Sequence, residues 1–487
     1  MKRRPAFGAW SRGILAGLAS AVLASCSPSC GPRVPASARP VFRYAIAPPP
    51  AGSFLLHVEA TLEQSPTERL VSPESAGLLR DVVLVGASGE STAVGRDGDA
   101  FVAPACRSRC ALRYTLDLAE LAASCRRMDC ERRVGDAVIG RATAFLLFPE
   151  TVGDALFEVD AVGPDIRRFA TGLREYANGR FSFSASALSE ASFTAFGDMR
   201  RGTLDFQGAR IDVVFLGAPL AMGDEAALDF IRQSAQRIVS LFEEFPVDTT
   251  IFVVPVPGAR EVVFGRVLSL AGASVALLFG DETPASGVRD NWVVVHELFH
   301  LACPSFIGEG RWLEEGLATY YEPILRERAG WMTEADLWTH FVREMPRGFR
   351  RSEDPASLED RDDIDSTYWG GALFALLADV RSRTATRGAS SLDLVVRLMR
   401  RRVGSAIATA HLADFLRIAE EATGTREVTQ VYESWAVRGE NADLDALWGR
   451  LGIGGVEAAR EHGTLVTLRD DAPLAAVRRA ISASASH

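Results

Sequence analysis

The chain has almost no lysine. Lys2 is the only one in 487 residues that hold 53 Lys and Arg together, so Schiff-base and lysine-base chemistry are excluded beyond the first residues. Histidine is scarce as well, at 7, so a pair at a chemically meaningful spacing stands out. Past the N-terminal region no stretch is long, apolar and uninterrupted enough to cross a bilayer. Excess positive charge is also missing: the net charge of −10 argues against nucleic acid as a partner. What remains is an ordinary globular composition, 47% hydrophobic and 24% charged. The length exceeds what one core can serve, which predicts two or three domains.

The N-terminus reads as an address. Lys2, Arg3 and Arg4 precede an apolar stretch at 13–24 that is too short to span a membrane. It ends in Leu23-Ala24-Ser25-Cys26, which resembles the lipobox of bacterial lipoproteins. That resemblance implies a signal peptide over 1–25, a lipid on Cys26, and a protein of the bacterial cell envelope facing the periplasm. Ser27 in the next position favours the outer membrane over the inner. Residues 26–40, rich in Ser, Pro and Ala, read as a tether, so membrane contact is expected through the anchor only. In an exported chain the cluster Cys106, Cys110, Cys125 and Cys130 predicts two disulfides, with three pairings open. A four-thiolate zinc site is the competing reading. Cys30 and Cys303 have no evident partner.

Between 41 and 200 the apolar residues come in short runs, at 54–58, 82–85, 112–116 and 144–148, separated by turn formers. That pattern predicts an antiparallel β-sandwich. The character changes near 201. Residues 211–216 read as a strand. Over 224–245, Ala227, Phe230, Ile231, Ile238, Leu241 and Phe242 recur at helical spacing, and Pro246 stops the helix. The continuous runs 250–254 and 273–279 suit buried strands. Asp290 is placed to cap a helix through Val293, Val294 and Val295. From Trp312 onward nearly everything reads as helix, with segments at 312–326, 334–343, 368–380, 392–402, 412–422 and 428–437. The expected class is α+β and multidomain, with a β-domain at 41–200, a mixed domain at 201–345, helices at 346–452 and a tail at 453–487.

The sharpest signal is His296-Glu297-Leu298-Phe299-His300. Residues four apart share a helix face, so both imidazoles reach one cation. Glu297 lies about 100° round the helix from His296 and borders the same cleft without being forced into coordination. A carboxylate there can take a proton from water that a metal has polarised. Catalytic zinc needs a third protein ligand. Cys303-Pro304 breaks the helix, Gly308 and Gly310 allow a reversal, and Trp312-Leu313-Glu314-Glu315-Gly316-Leu317-Ala318 begins a second helix that returns against the first. Downstream lies Tyr368-Trp369-Gly370-Gly371-Ala372-Leu373.

These blocks resemble the gluzincin peptidases, and the order of elements is similar to the glycyl-aminopeptidase family within them. The resemblance is specific from His296 to Asp379. It implies an N-terminal β-domain, a thermolysin-like zinc peptidase domain and helical C-terminal parts, acting on a peptide or protein substrate. It also implies one Zn2+ held by His296, His300 and Glu315, Glu297 as general base, and Tyr368 donating a hydrogen bond to the oxyanion. Only 14 residues separate His300 from Glu315, fewer than the aminopeptidase branch usually has, so Glu314 and Glu309 stay open as ligands. The stretch 267–273, where that branch carries an amine-binding glutamate, has no acid. Residues 269–274 are expected to form an edge strand for an extended substrate. Two other readings stand beside hydrolysis of peptides: a non-catalytic envelope lipoprotein that binds peptides, and a zinc hydrolase of a non-peptide amide.

Overall fold

A run of eight apolar or small residues can form a strand only if both of its faces are covered, and this requirement organises the molecule. The computed structural model describes residues 39–125 and 130–483. The expected leader, most of the tether, Cys26 and Cys30 lie outside the described residues. Strands β1 (Met199–Phe206) and β2 (Ala209–Leu216) form a hairpin followed by helix α1 (Asp224–Phe242). Strands β3 (Thr249–Val256), β4 (Val262–Leu268) and β5 (Ala273–Gly280) complete a five-stranded sheet of order β1-β2-β3-β5-β4. All of β5 is buried, as its uninterrupted apolar run requires. The edge strand β4 runs antiparallel to β5, whereas β2, β3 and β5 run parallel.

One face of this sheet carries the helices. Helix α2 (Val293–His300), α3 (Arg311–Arg328), α4 (Gly371–Ala385) and α5 (Leu392–Arg402) share one apolar core that runs from Leu204 to Ile481. Residues 453–487, expected as a tail, fold over their described part: Val456–His462 and Ala475–Ser482 are helices, and Ile453, Val466 and Ile481 are buried in that core. The other face, through Val214, Phe252, Val254 and Leu278, packs on Ile139, Phe193 and Ala195 of the first domain. That domain contains an eight-stranded sheet and two four-stranded sheets around a second core. Alternation in Leu55–Glu63 buries Leu56, Val58, Ala60 and Leu62, the period of a half-buried strand. Pairing is antiparallel except where Val41–Ala47 runs parallel to Leu156–Ala161.

The disulfides pair Cys106 with Cys110 and Cys125 with Cys130. One apolar run behaves differently from expectation. Residues 144–148 do not form a strand: Ala142–Phe145 is a buried 3-10 turn, and only Phe148–Pro149 pairs, with Arg69–Val71. The run is buried on all sides, so it has no period to distinguish strand from turn. Among the described residues no helix is long and apolar enough to cross a membrane.

Helices α3, α4 and α5 are joined by a buried polar network. Tyr320 donates to Asp379 Oδ2 at 2.8 Å and Tyr321 to Asp393 Oδ1 at 3.1 Å. Arg383 pairs with Asp379 at 3.0 Å and Arg328 with Asp393 at 3.0 Å. Asp379 also accepts the Leu392 N–H at 2.7 Å, which fixes where α5 starts. Removing Asp379 would leave the Tyr320 hydroxyl and the Leu392 N–H without an acceptor and Arg383 with only Asp393, at 3.8 Å, which is far more costly than losing a surface pair. Asp379→Ala should therefore destabilise the protein by about 3–5 kcal/mol in urea unfolding. A change below about 1 kcal/mol, the value of an exposed pair, would show that the network carries little of the packing.

Candidate active site

Helix α2 starts after a turn in which Asn291 Oδ1 accepts the Val293 N–H at 3.0 Å; its N-cap is Trp292, without a side-chain cap, so the expected cap from Asp290 does not form. The helix is buried from Val293 to Phe299. Its two histidines stand one turn apart with their Nε2 atoms 3.2 Å from each other. The chain then reverses through a short strand, Ser305–Phe306, which pairs in parallel with Thr409–Ala410. Gly308 and Gly310, at φ 77° and 97°, take up the turn into α3. Glu359 holds the start of α3 by accepting the Gly310 N–H and the Trp312 indole N–H, both at 2.8 Å. Glu315, in the first turns of α3, then faces the histidines.

Glu315 Oε2 lies 3.2 Å from His296 Nε2 and 3.5 Å from His300 Nε2. Tetrahedral zinc with donors at about 2.0–2.1 Å spaces those donors at about 3.3 Å, so this triangle fits the ion in size and in chemistry. Glu314 turns elsewhere and accepts the Phe306 N–H, while Glu309 is exposed. The tight loop thus delivers Glu315 to the histidines, and neither alternative acid joins them.

The charges in the site depend on one another. Burial lowers His296 below its ordinary range despite its hydrogen bond to Glu315. Burial also pulls on His300, but the charge and hydrogen bond of Glu315 outweigh it and raise His300 to about 9. Burial would raise Glu315, yet His300 and His296 hold it well below the usual carboxylate range. Glu297 is pushed up to about 7 by burial, with the charge of Glu315 adding to the effect.

Two close backbone approaches complete the arrangement. A Cβ on Gly316 of α3 would lie 2.3 Å from Gly371 Cα of α4, so only glycine lets these helices cross here. The π-helical turn Ser366–Gly370 precedes α4 and sets Tyr368 flat against the His296 ring, with centroids 5.7 Å apart and planes at 2°. Burial and the charges of Glu315 and Glu297 raise the Tyr368 phenol, so it stays protonated as a donor. On the opposite side a Cβ on Gly265 would lie 2.3 Å from Glu297 Cγ, so β4 can lie directly over the catalytic-base candidate. The expected edge strand is displaced accordingly. Residues 269–272 form the turn between β4 and β5, Ala273 and Ser274 open the inner strand β5, and the true edge is β4.

Glu297, His300, Glu315 and Tyr368 line a cavity of about 680 Å³. Three charged residues missed in the sequence line it too: Glu190 from the first domain, Arg266 on β4 and Arg311 on α3. Glu190 and Arg266 lie in no local motif, and only the fold brings them to the histidines, whereas Arg311 stands four residues before Glu315 on α3.

No protein family recognised from sequence matches the chain, and no curated protein does. Comparison with solved structures finds an aminopeptidase N family protein from Idiomarina loihiensis, 17% identical, covering 85% of this chain and 78% of its own, with a TM-score of 0.64. An M1 zinc metallopeptidase from Deinococcus radiodurans aligns over 83% of this chain and 95% of its own at 14% identity, with a TM-score of 0.46. The chain therefore has the fold of the Idiomarina protein, the architecture that the gluzincin resemblance implied.

A divalent cation entering the triangle must displace the His300 proton, which the metal-free protein holds up to about pH 9. Apparent zinc affinity, measured by chelator competition, should therefore rise with pH below that value, by up to about tenfold per pH unit. An affinity independent of pH in this range would show that His300 is neutral before the metal arrives.

Proposed function

We propose that this protein is a zinc-dependent peptidase of the bacterial cell envelope. The observation that carries the reading is the convergence of a three-donor triangle, a buried carboxyl and a phenol on one open cleft, under an exposed strand edge. His296, His300 and Glu315 would hold the ion. When bound, zinc would supply a Lewis acid that polarises the scissile carbonyl and acidifies water.

The remaining work falls to the chain's own groups. Glu297, beside His300 and under Gly265, takes the proton of the attacking water and returns it to the leaving amine. Burial that pushes its carboxyl up to about 7 in the metal-free protein suits both transfers near neutral pH, since a base poised near the working pH gives up its proton as readily as it takes it. Tyr368, parallel to the His296 ring, donates its hydroxyl hydrogen to the carbonyl oxygen as that oxygen gains charge. Strand β4 offers its outer edge to an extended backbone, which favours a peptide over a compact amide substrate. The description of the Idiomarina protein as a member of the aminopeptidase N family supports peptide hydrolysis. The N-terminal sequence supports a lipid anchor at Cys26, in the outer membrane and facing the periplasm.

The test is to incubate the zinc-loaded protein with a complex peptide mixture and read the products by mass spectrometry. Glu297→Gln should lower turnover by about 10²–10⁴-fold while zinc content stays unchanged. Tyr368→Phe should lower kcat by about 10²–10³-fold with KM little altered. The product ends will show whether the enzyme trims or cuts internally. Peptides left intact by a folded, zinc-loaded wild type would overturn the reading.

A further inference from the structure

The mechanism leaves several charged groups of the cleft unused. Glu314 is engaged by the Phe306 N–H, but Arg311 is exposed to the cavity and has no hydrogen bond or ion pair among the described residues. It nevertheless lies within electrostatic reach of both Glu190 and Glu314. Arg311 precedes Glu315 by four residues on α3, so the two side chains share a helix face about 6 Å apart along the axis. Helical side chains lean towards the N-terminus, which carries the guanidinium away from the three donors and along the cleft. Arg266 reaches the same cavity from β4, the strand on which a substrate would pair. Arg266, Arg141 and Arg311 all act on the Glu190 carboxyl. The turn at 269–272 offers a substrate ammonium no acid, and the Glu190 carboxyl in the same cavity is already faced by these three guanidiniums.

We propose that Arg311 forms a carboxylate-recognising subsite, so that favoured substrates carry a carboxylate within about one to three residues of the cut bond. The proposal rests on the peptidase reading for the word substrate. The carboxylate has two sources, an acidic side chain or the free C-terminus of a short peptide, and both present the planar pair of oxygens that a guanidinium fork accepts. Arg311 is the residue that would decide the preference, because it is exposed, unpaired among the described residues and fixed one turn from a metal donor.

Binding separates this proposal from the question of turnover. Zinc-loaded Glu297→Gln protein is titrated, by fluorescence anisotropy, with labelled peptides of one length. The set varies Asp against Asn at each central position and the C-terminal carboxylate against its amide. Loss of the recognised carboxylate should weaken binding by about 10- to 100-fold, and the substitution that does so identifies the source. Adding Arg311→Gln should erase that difference, and Arg311→Lys should keep part of it. Equal binding of all peptides, no binding of any, or a preference that survives Arg311→Gln would overturn the subsite. Charge-dependent binding without cleavage by the wild type would sustain the subsite and remove only the peptidase reading.

Discussion

The contact between Gly316 and Gly371 is the constraint on which the site depends. Helices rarely approach until their backbones touch, because two Cβ layers normally hold them apart. Here a Cβ on Gly371 would lie 2.4 Å from the Trp312 carbonyl oxygen, so neither helix has room for a methyl group. Glu315 is the residue before one glycine, and Tyr368 lies three before the other. Their meeting point at the histidines therefore follows from how closely α3 and α4 cross. Glycine inside a helix costs up to about 1 kcal/mol relative to alanine, and the buried Tyr–Asp–Arg network below the crossing helps to offset it.

The site concentrates negative charge. Glu297, Glu314 and Glu315 lie within a short span of α2 and α3, and burial pushes both Glu297 and Glu314 up to about 7. Without a metal the His300 proton balances Glu315, while β4 and α3 bring Arg266 and Arg311 to the same cavity, where the first domain adds Glu190. Acids and guanidiniums are therefore interspersed along the cleft wall.

The legible parts of this protein were local ones. The His–Glu–x–x–His spacing, the returning helix with Glu315, and the helix at 392–402 could all be read because period, caps and breakers lie within a few residues of what they specify. Tyr368 was legible through its flanking glycines, although the π-helical turn that aims it was not. Strand β4 was missed because its half-buried pattern around Gly265 resembles a loop; its identity comes from pairing with β5. Glu190, Arg266 and Glu359 were missed for the same reason: each acts across a contact between elements far apart in sequence. Asp290 was misread as a cap although it caps well by type: the chain makes a turn at Asn291 first, and the helix starts with Trp292 as its N-cap and no side-chain cap.

The pairing of Ser305–Phe306 with Thr409–Ala410 has a further consequence for how the protein is made. The loop that presents the proposed third ligand is stitched to chain that follows it by about a hundred residues, and the Ala406 N–H closes back on the Leu301 carbonyl at 3.1 Å. A ribosome that has released residue 350 has produced every proposed ligand without the chain that holds this loop in place. The arrangement seen in the folded protein is therefore completed only when the later segments dock.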